Sequence, residues 1–149
     1  MTYEETLHYL YTSIPVFQHS GASAYKPGLG TSIALDDYLG NPHKAYKTIH
    51  VAGTNGKGSV SHLLAAILRQ SGFKVGLYTS PHLVDFRERI RVNGKKISQD
   101  YVVDFVERHR SFFEPLHPSF FELTSSMAFE YFRDQQVDYA VIEVGLGGR

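Results

Sequence analysis

Cysteine is absent from the 149 residues of the chain, which excludes a disulfide framework and a thiolate metal cluster. Net charge is absent too, because 15 Lys and Arg balance 15 Asp and Glu, so no global field attracts nucleic acid or a membrane. No apolar run approaches the ~18 residues of a transmembrane helix, and Met1–Ser13 lacks the apolar stretch of a signal peptide. We therefore expect a cytoplasmic protein that binds neither nucleic acid nor membrane.

Apolar and charged residues make up 42% and 20% of the chain, which is typical of a globular protein with a hydrophobic core. Thr2 and Glu5 form a capping-box pattern that predicts a first helix to about Tyr11. A second helix is predicted over Ser32–Leu39. Because the chain carries no excess positive charge, any anion must bind at a local site.

The first half of the chain predicts a strand, a helix and a second strand. β-Branched residues favour a strand at Thr48–Ala52, and the next strand is expected at Lys74–Thr79. Gly72 is placed to end the intervening helix. Its apolar residues recur at helical spacing: Val60, Leu63, Leu64, Ile67 and Leu68. This length is that of a βαβ unit, so we expect parallel pairing.

The second half predicts a hairpin, two helices and a buried strand. Asn93 and Gly94 favour a type I′ turn at the centre of the hairpin Arg89–Ile97. Ser98 is expected to cap the helix that follows. The run Asp138–Val144 is almost continuously apolar, as in a strand that is buried on both faces.

A glycine-rich segment lies between the first predicted strand and its helix, and we predict that it binds the phosphates of a nucleotide. Unpaired amides at a helix start attract anions, and glycines let the backbone wrap around them. Lys57 adds a charge for the β- and γ-phosphates, and Ser59 a hydroxyl. The pattern departs from the general phosphate loop, because Val51 replaces the first glycine and Gly58 follows the lysine directly. The predicted phosphate-binding residues are Gly53, Thr54, Asn55, Gly56, Lys57, Gly58 and Ser59.

This loop resembles that of Mur-type amide ligases, and its Gly-Ser ending resembles the form in folylpolyglutamate and dihydrofolate synthases. The segments Tyr78–Ile90, Phe120–Phe132 and Ile142–Arg149 are similar to further signatures of that family. The resemblance implies that Ser80 and Glu143 bind Mg²⁺ and that Phe121 and His82 contact the folate or pterin substrate. It also makes Lys57 a catalytic residue.

Each of these residues also has a purely structural interpretation. Ser80 fits a turn at the end of a strand, and Glu143 fits a strand-end acid that pairs with Lys or Arg. Phe121 fits the core behind a capping box of Ser119 and Glu122. Five basic residues of the hairpin region fit either an anion-steering surface or a solvated one: Arg87, Arg89, Arg91, Lys95 and Lys96.

The resemblance implies a Rossmann-like P-loop α/β fold of the Mur-ligase type, with an incomplete parallel sheet of at least three strands and a small β-hairpin. It implies an ATP- and Mg²⁺-dependent ligase that adds L-glutamate to dihydropteroate or to (poly)glutamyl tetrahydrofolate through an acyl phosphate. Another Mur-type amide ligase and a P-loop switch module remain as alternatives.

We expect residues 1–149 to be the N-terminal part of the ATP-binding domain. The second metal site, the adenine-binding segment and the C-terminal glutamate-binding domain would then lie beyond Arg149. On this interpretation the whole protein is a monomer, whereas the 149 residues alone are inactive. Because the predicted sheet ends at Val144, we also expect the 149 residues to self-associate.

Overall fold

The computed structural model of the protein describes residues 1–20, 30–52, 56–80 and 84–143. In these ranges the helices are α1 (Tyr3–Ser20), α2 (Gly30–Tyr38), α3 (Lys57–Gln70), α4 (Gln99–Phe113) and α5 (Phe120–Asp134). The strands are β1 (Lys47–Val51), β2 (Val75–Tyr78), β3 (Ile90–Val92), β4 (Lys95–Lys96) and β5 (Tyr139–Glu143). The chain divides into two compact units, one made of Met1–Asn41 and Ser98–Met127 and the other of Pro42–Ile97 and the chain from Ala128.

The first unit is helical, and α1 packs against α4. The predicted capping box is confirmed, because the Glu5 amide donates to Thr2 Oγ1 at 3.0 Å and the Thr2 amide donates to Glu5 Oε1 at 2.8 Å. The predicted end of α1 near Tyr11 was wrong, since the helix continues to Ser20. Leu10 and Ile14 are fully buried, so tertiary packing prolongs the helix beyond its local signal.

Side-chain caps begin the other long helices of this unit, as predicted. Ser98 Oγ accepts the Tyr101 amide at 3.1 Å at the start of α4. At the start of α5, the Glu122 amide donates to Ser119 Oγ at 3.0 Å and the Ser119 amide donates to Glu122 Oε1 at 2.8 Å. These bonds satisfy amides that a helix start would otherwise leave unpaired.

The second unit contains a five-stranded sheet of order β1-β5-β2-β3-β4. β5 pairs in parallel with β1 and β2, which confirms an α/β fold with three parallel strands. The expected direct pairing of the two strands of the βαβ unit was wrong. β1 and β2 are parallel, but the crossover through α3 leaves room for one strand between them. β5, in which four of five residues are buried, occupies that place, where its backbone is paired along both edges.

The predicted hairpin is confirmed, and it continues the same sheet. Asn93 and Gly94 have φ angles of +48° and +81°, as a type I′ turn requires. β3 pairs antiparallel with β2 and then with β4. In the described sheet the edge strands are therefore β1 and β4, whereas β5 is internal.

Only part of the apolar surface of α3 packs on the sheet. Leu64, Ala65 and Leu68 cover a cluster formed by Val51, Val75, Leu77 and Val141. The other predicted apolar positions, Val60, Leu63 and Ile67, are 52%, 63% and 50% exposed. Among the described helices, none has the combination of length and hydropathy that a membrane span requires.

Candidate functional site

The start of α3 has the form expected of an anion-binding turn. β1 ends at Val51 and α3 begins at Lys57, so the glycine-rich segment joins a strand to a helix as predicted. Gly56 is the N-cap with φ +74°, a backbone conformation that residues with a side chain rarely adopt. Its cap position supplies no side chain that would compete with an anion for the first amides of the helix. Gly53, Thr54, Asn55 and the side chain of Lys57 lie outside the described residues.

Glu143 lies at the carboxyl end of β5, and its side chain reaches both Ser80 and the start of α3. Its side chain is only 3% exposed. Oε1 accepts the amide hydrogen of Ser80 at 2.9 Å. A β-carbon at Gly58 would lie 3.5 Å from Oε2, so the first turn of α3 passes directly beside this carboxylate. The end of β5, Ser80 two residues after β2, and the start of α3 therefore meet at one carboxylate.

Among the Lys, Arg and His side chains that the structure describes, which do not include Lys57, no contact with Glu143 is present. A buried carboxylate is costly unless a cation or hydrogen bonds compensate it, and one amide is a modest compensation. Carboxylate and hydroxyl oxygens are the ligands that Mg²⁺ prefers, together with phosphate oxygens and water. Glu143 and the half-buried Ser80 therefore fit a magnesium ion. Among the described residues no group of three His, Cys, Asp or Glu forms a metal site.

Phe121 belongs to the helical unit and lies in the first turn of α5. It is half-buried, and the capping box of Ser119 and Glu122 that surrounds it is present. Glu122 Oε2 also accepts the hydroxyl of Ser32 at 3.2 Å. The predicted capping box is thus confirmed, whereas Phe121 is not one of the buried core residues, and its contact with substrate stays a prediction. His82 lies outside the described residues.

The basic residues of the hairpin region make local contacts, which are described for Arg87, Arg91 and Lys96. Arg87 pairs with Asp85 at 3.1 Å and donates to the Ile97 carbonyl at 3.1 Å. Lys96 lies 3.6 Å from the same aspartate, and Arg91 donates to a backbone carbonyl at 3.1 Å. These contacts favour a structural role for this basic surface over the steering of an anionic substrate.

Comparison with known proteins decides the family of the chain. No protein-family model matches it. The dihydrofolate synthase/folylpolyglutamate synthase of Bacillus subtilis is 41% identical over 131 residues, which cover 83% of this chain and 30% of that protein. The crystal structure of Thermotoga maritima folylpolyglutamate synthase is 47% identical, with a TM-score of 0.84 over 97% of this chain and 33% of that one. Over the part that it spans, this chain belongs to the folylpolyglutamate synthase/dihydrofolate synthase family.

The chain spans between 16% and 35% of the length of the curated relatives that it matches. One structure of a folylpolyglutamate synthase in complex with AMPPCP and folate is 37% identical, with a TM-score of 0.83 over 99% of this chain and 36% of that one. The family resemblance stated from the motifs is therefore confirmed, and so is the α/β fold that it implied.

Two residues of this family segment were not identified from the sequence as features of the site. Ser61 is fully buried, and its hydroxyl has no hydrogen-bond partner in the described structure. Ser61 precedes Leu64 by three residues and Leu68 by seven. Helical periodicity therefore places it on the side of α3 that faces the sheet, and this could have been inferred from the sequence. Glu88 accepts the amides of Val84 and Asp85, and with Asp85 it forms a capping box for which the Asp-x-x-Glu spacing was the signal in the sequence.

Proposed function

We propose that this chain forms the N-terminal part of the ATP-binding domain of a ligase. The ligase adds L-glutamate to dihydropteroate or to (poly)glutamyl tetrahydrofolate with hydrolysis of ATP to ADP. The observation that carries the proposal is the position of Glu143, which is buried beside the start of α3 and bonded to the Ser80 amide. Of the four segments that carry the family resemblance, three contribute to this one place: the glycine-rich loop with the start of α3, Tyr78–Ile90 and Ile142–Arg149.

The reaction proceeds in two transfers. A carboxylate oxygen of the folate-type substrate attacks the γ-phosphorus of ATP, the bond to the β,γ-bridging oxygen breaks, and ADP leaves. The amine of glutamate then attacks the acyl carbon, phosphate leaves, and the amine loses a proton as the amide forms. Both steps depend on positioning and on neutralisation of phosphate charge.

The residues of this chain have distinct roles in the proposal. The amides of residues 53–59 hold the phosphates, and Lys57 stabilises charge on the transferring phosphoryl group. Ser80 and Glu143 hold Mg²⁺, which supplies positive charge to the phosphate oxygens when it is bound. Phe121 and His82 contact the pterin part of the substrate.

The wider setting of the ligase is also proposed. Its place of action is the cytoplasm, and the whole protein acts as a monomer on small molecules. The balanced charge of the chain supports action on small molecules, and the absence of cysteine suits a reducing cytoplasm.

The test is an assay of the whole protein with MgATP, radiolabelled glutamate, and either dihydropteroate or tetrahydrofolate. We expect incorporation of label with stoichiometric release of ADP and phosphate. Lys57→Ala should abolish it without a change in melting temperature, because Lys57 is the first residue of α3 and alanine is a strong helix former. Lys95→Ala, in the exposed hairpin strand, is the matched control and should retain activity. Near-normal turnover by Lys57→Ala would contradict the phosphate-loop assignment.

A further inference from the structure

One carboxylate joins two helices of the helical unit at the place where α5 begins. Glu122 Oε1 accepts the Ser119 amide at 2.8 Å, which is one half of the capping box of α5. The other oxygen, Oε2, accepts the hydroxyl of Ser32 in the first turn of α2 at 3.2 Å. Glu122 therefore caps its own helix and also links it to α2.

The first turn of α5 is held from α1 as well. The rings of Tyr11 and Phe120 are stacked, with centroids 5.5 Å apart and an angle of 21° between their planes. Thr124 Oγ1 donates to the Phe120 carbonyl at 2.9 Å, and Leu123 is fully buried. Contacts from α1 and α2 thus hold this turn in place within the helical unit.

Phe121 lies in this turn, directly between Phe120 and Glu122. The ring of a phenylalanine follows its backbone closely, because few torsions separate the two. A bond to a carboxylate is stronger than a bond between neutral groups, so the Ser32 hydroxyl restrains the turn effectively. Binding residues keep their geometry only when such supporting hydrogen bonds fix the segment that carries them.

We propose that Glu122 is a positioning residue. Its bond to Ser32 holds the first turn of α5, and so the ring of Phe121, in the place where the pterin part of the folate-type substrate meets it. The proposal rests on the function proposed above, in which Phe121 contacts that part of the substrate.

The first test compares variants of the whole protein in the assay of glutamate ligation. Ser32→Ala removes the bond to Glu122 and leaves the capping box of α5 intact. Ser111→Ala is the matched control, because it makes the same change at an exposed position of α4 in the same unit. We expect Ser32→Ala to raise the KM for the folate-type substrate about fivefold, equivalent to about 1 kcal/mol, with little effect on the KM for ATP. Ser111→Ala should leave both KM values unchanged.

A double-mutant cycle tests whether the bond acts through Phe121. Phe121→Leu should raise the KM for the folate-type substrate, and Ser32→Ala should add little in that background, because residues that act through one contact are not additive. Glu122→Ala should raise the KM at least as much as Ser32→Ala. Glu122→Gln should restore it, since its side-chain amide still bonds to both the Ser119 amide and the Ser32 hydroxyl.

The outcomes separate this inference from the proposed function. With an active wild type, an unchanged KM in Ser32→Ala or in Phe121→Leu would overturn the inference alone. So would an equal rise in Ser111→Ala, or a full further rise when Ser32→Ala is combined with Phe121→Leu. Absence of glutamate ligation by the wild type would overturn the proposed function, and this inference with it.

Discussion

Glu143 is the residue on which the proposed site depends most. It is the last residue of β5, the middle one of the three parallel strands, and is opposite Val51 in register, so it lies at the end of the sheet where β1 also ends. In open α/β sheets, ligands collect at the carboxyl ends of the strands. The Glu143 carboxylate is buried and accepts one backbone amide, and no basic side chain that the structure describes contacts it, that of Lys57 not being among those described. Such an arrangement suits a cation that arrives with the nucleotide.

We predict that Glu143→Gln weakens the Mg²⁺-dependent binding of nucleotide and the activity far more than it changes stability. Gln is nearly isosteric and its carbonyl still accepts the Ser80 amide, but it is a poor ligand for Mg²⁺. Titration of Mg²⁺ against the variant, with nucleotide present, measures the effect. An unchanged Mg²⁺ requirement together with a large fall in melting temperature would favour a structural role.

Ser61 gives a second prediction at the scale of the residue. Its hydroxyl is buried in α3 without a partner in the described structure, and an unsatisfied buried polar group costs ~1–3 kcal/mol. Ser61→Ala should therefore raise the free energy of unfolding by about 1 kcal/mol. Ser59→Ala is the control, because Ser59 is exposed and the change carries the same gain in helix propensity. Chemical denaturation measures both, and a loss of stability in Ser61→Ala alone would indicate a hydroxyl that is bonded to buried water.

At the scale of the element, the close approach of β2 and α5 shapes the sheet. Gly76 in β2 faces the fully buried ring of Phe132 in α5, and a β-carbon at this glycine would lie 2.6 Å from a ring atom. β2 carries Ser80 two residues beyond its end. The separation of helix and strand at this point therefore depends on the absence of a side chain.

Gly76→Ala is predicted to destabilise the protein by ~1–3 kcal/mol, the usual cost of overpacking a core. Gly30→Ala serves as control, since a β-carbon there meets no atom within 4 Å. Urea denaturation with both variants tests the prediction through the midpoint of unfolding. Equal midpoints for Gly76→Ala and the wild type would show that the ring of Phe132 yields at little cost.

At the scale of the whole molecule, we predict that the 149 residues alone do not ligate glutamate. They contain the proposed phosphate and magnesium residues, but they span at most 35% of the length of the curated relatives that they match. Without a site that holds glutamate beside an acyl phosphate, the gain from proximity is lost. Incubation with MgATP, dihydropteroate or tetrahydrofolate and radiolabelled glutamate tests this. Label incorporated at a rate comparable to that of the whole protein would contradict it.

Local hydrogen bonds explain what the sequence by itself determined. The capping boxes at Thr2 and Ser119, the Ser98 cap and the Asn93-Gly94 turn each involve residues within about four positions of one another. Their geometry follows from residue types and spacing, so the structure reproduces them. The family could be recognised for a related reason, because its motifs are short and contiguous.

Only the tertiary structure decided which distant residues meet. The insertion of β5 between β1 and β2, the bond from Ser80 to Glu143, and the contact of Gly76 with Phe132 join residues that are 56 or more positions apart. The length of α1 likewise depended on the burial of Ile14. Such contacts are stabilised by the burial of apolar surface from several elements together. No short stretch of sequence shows which elements will pack against one another.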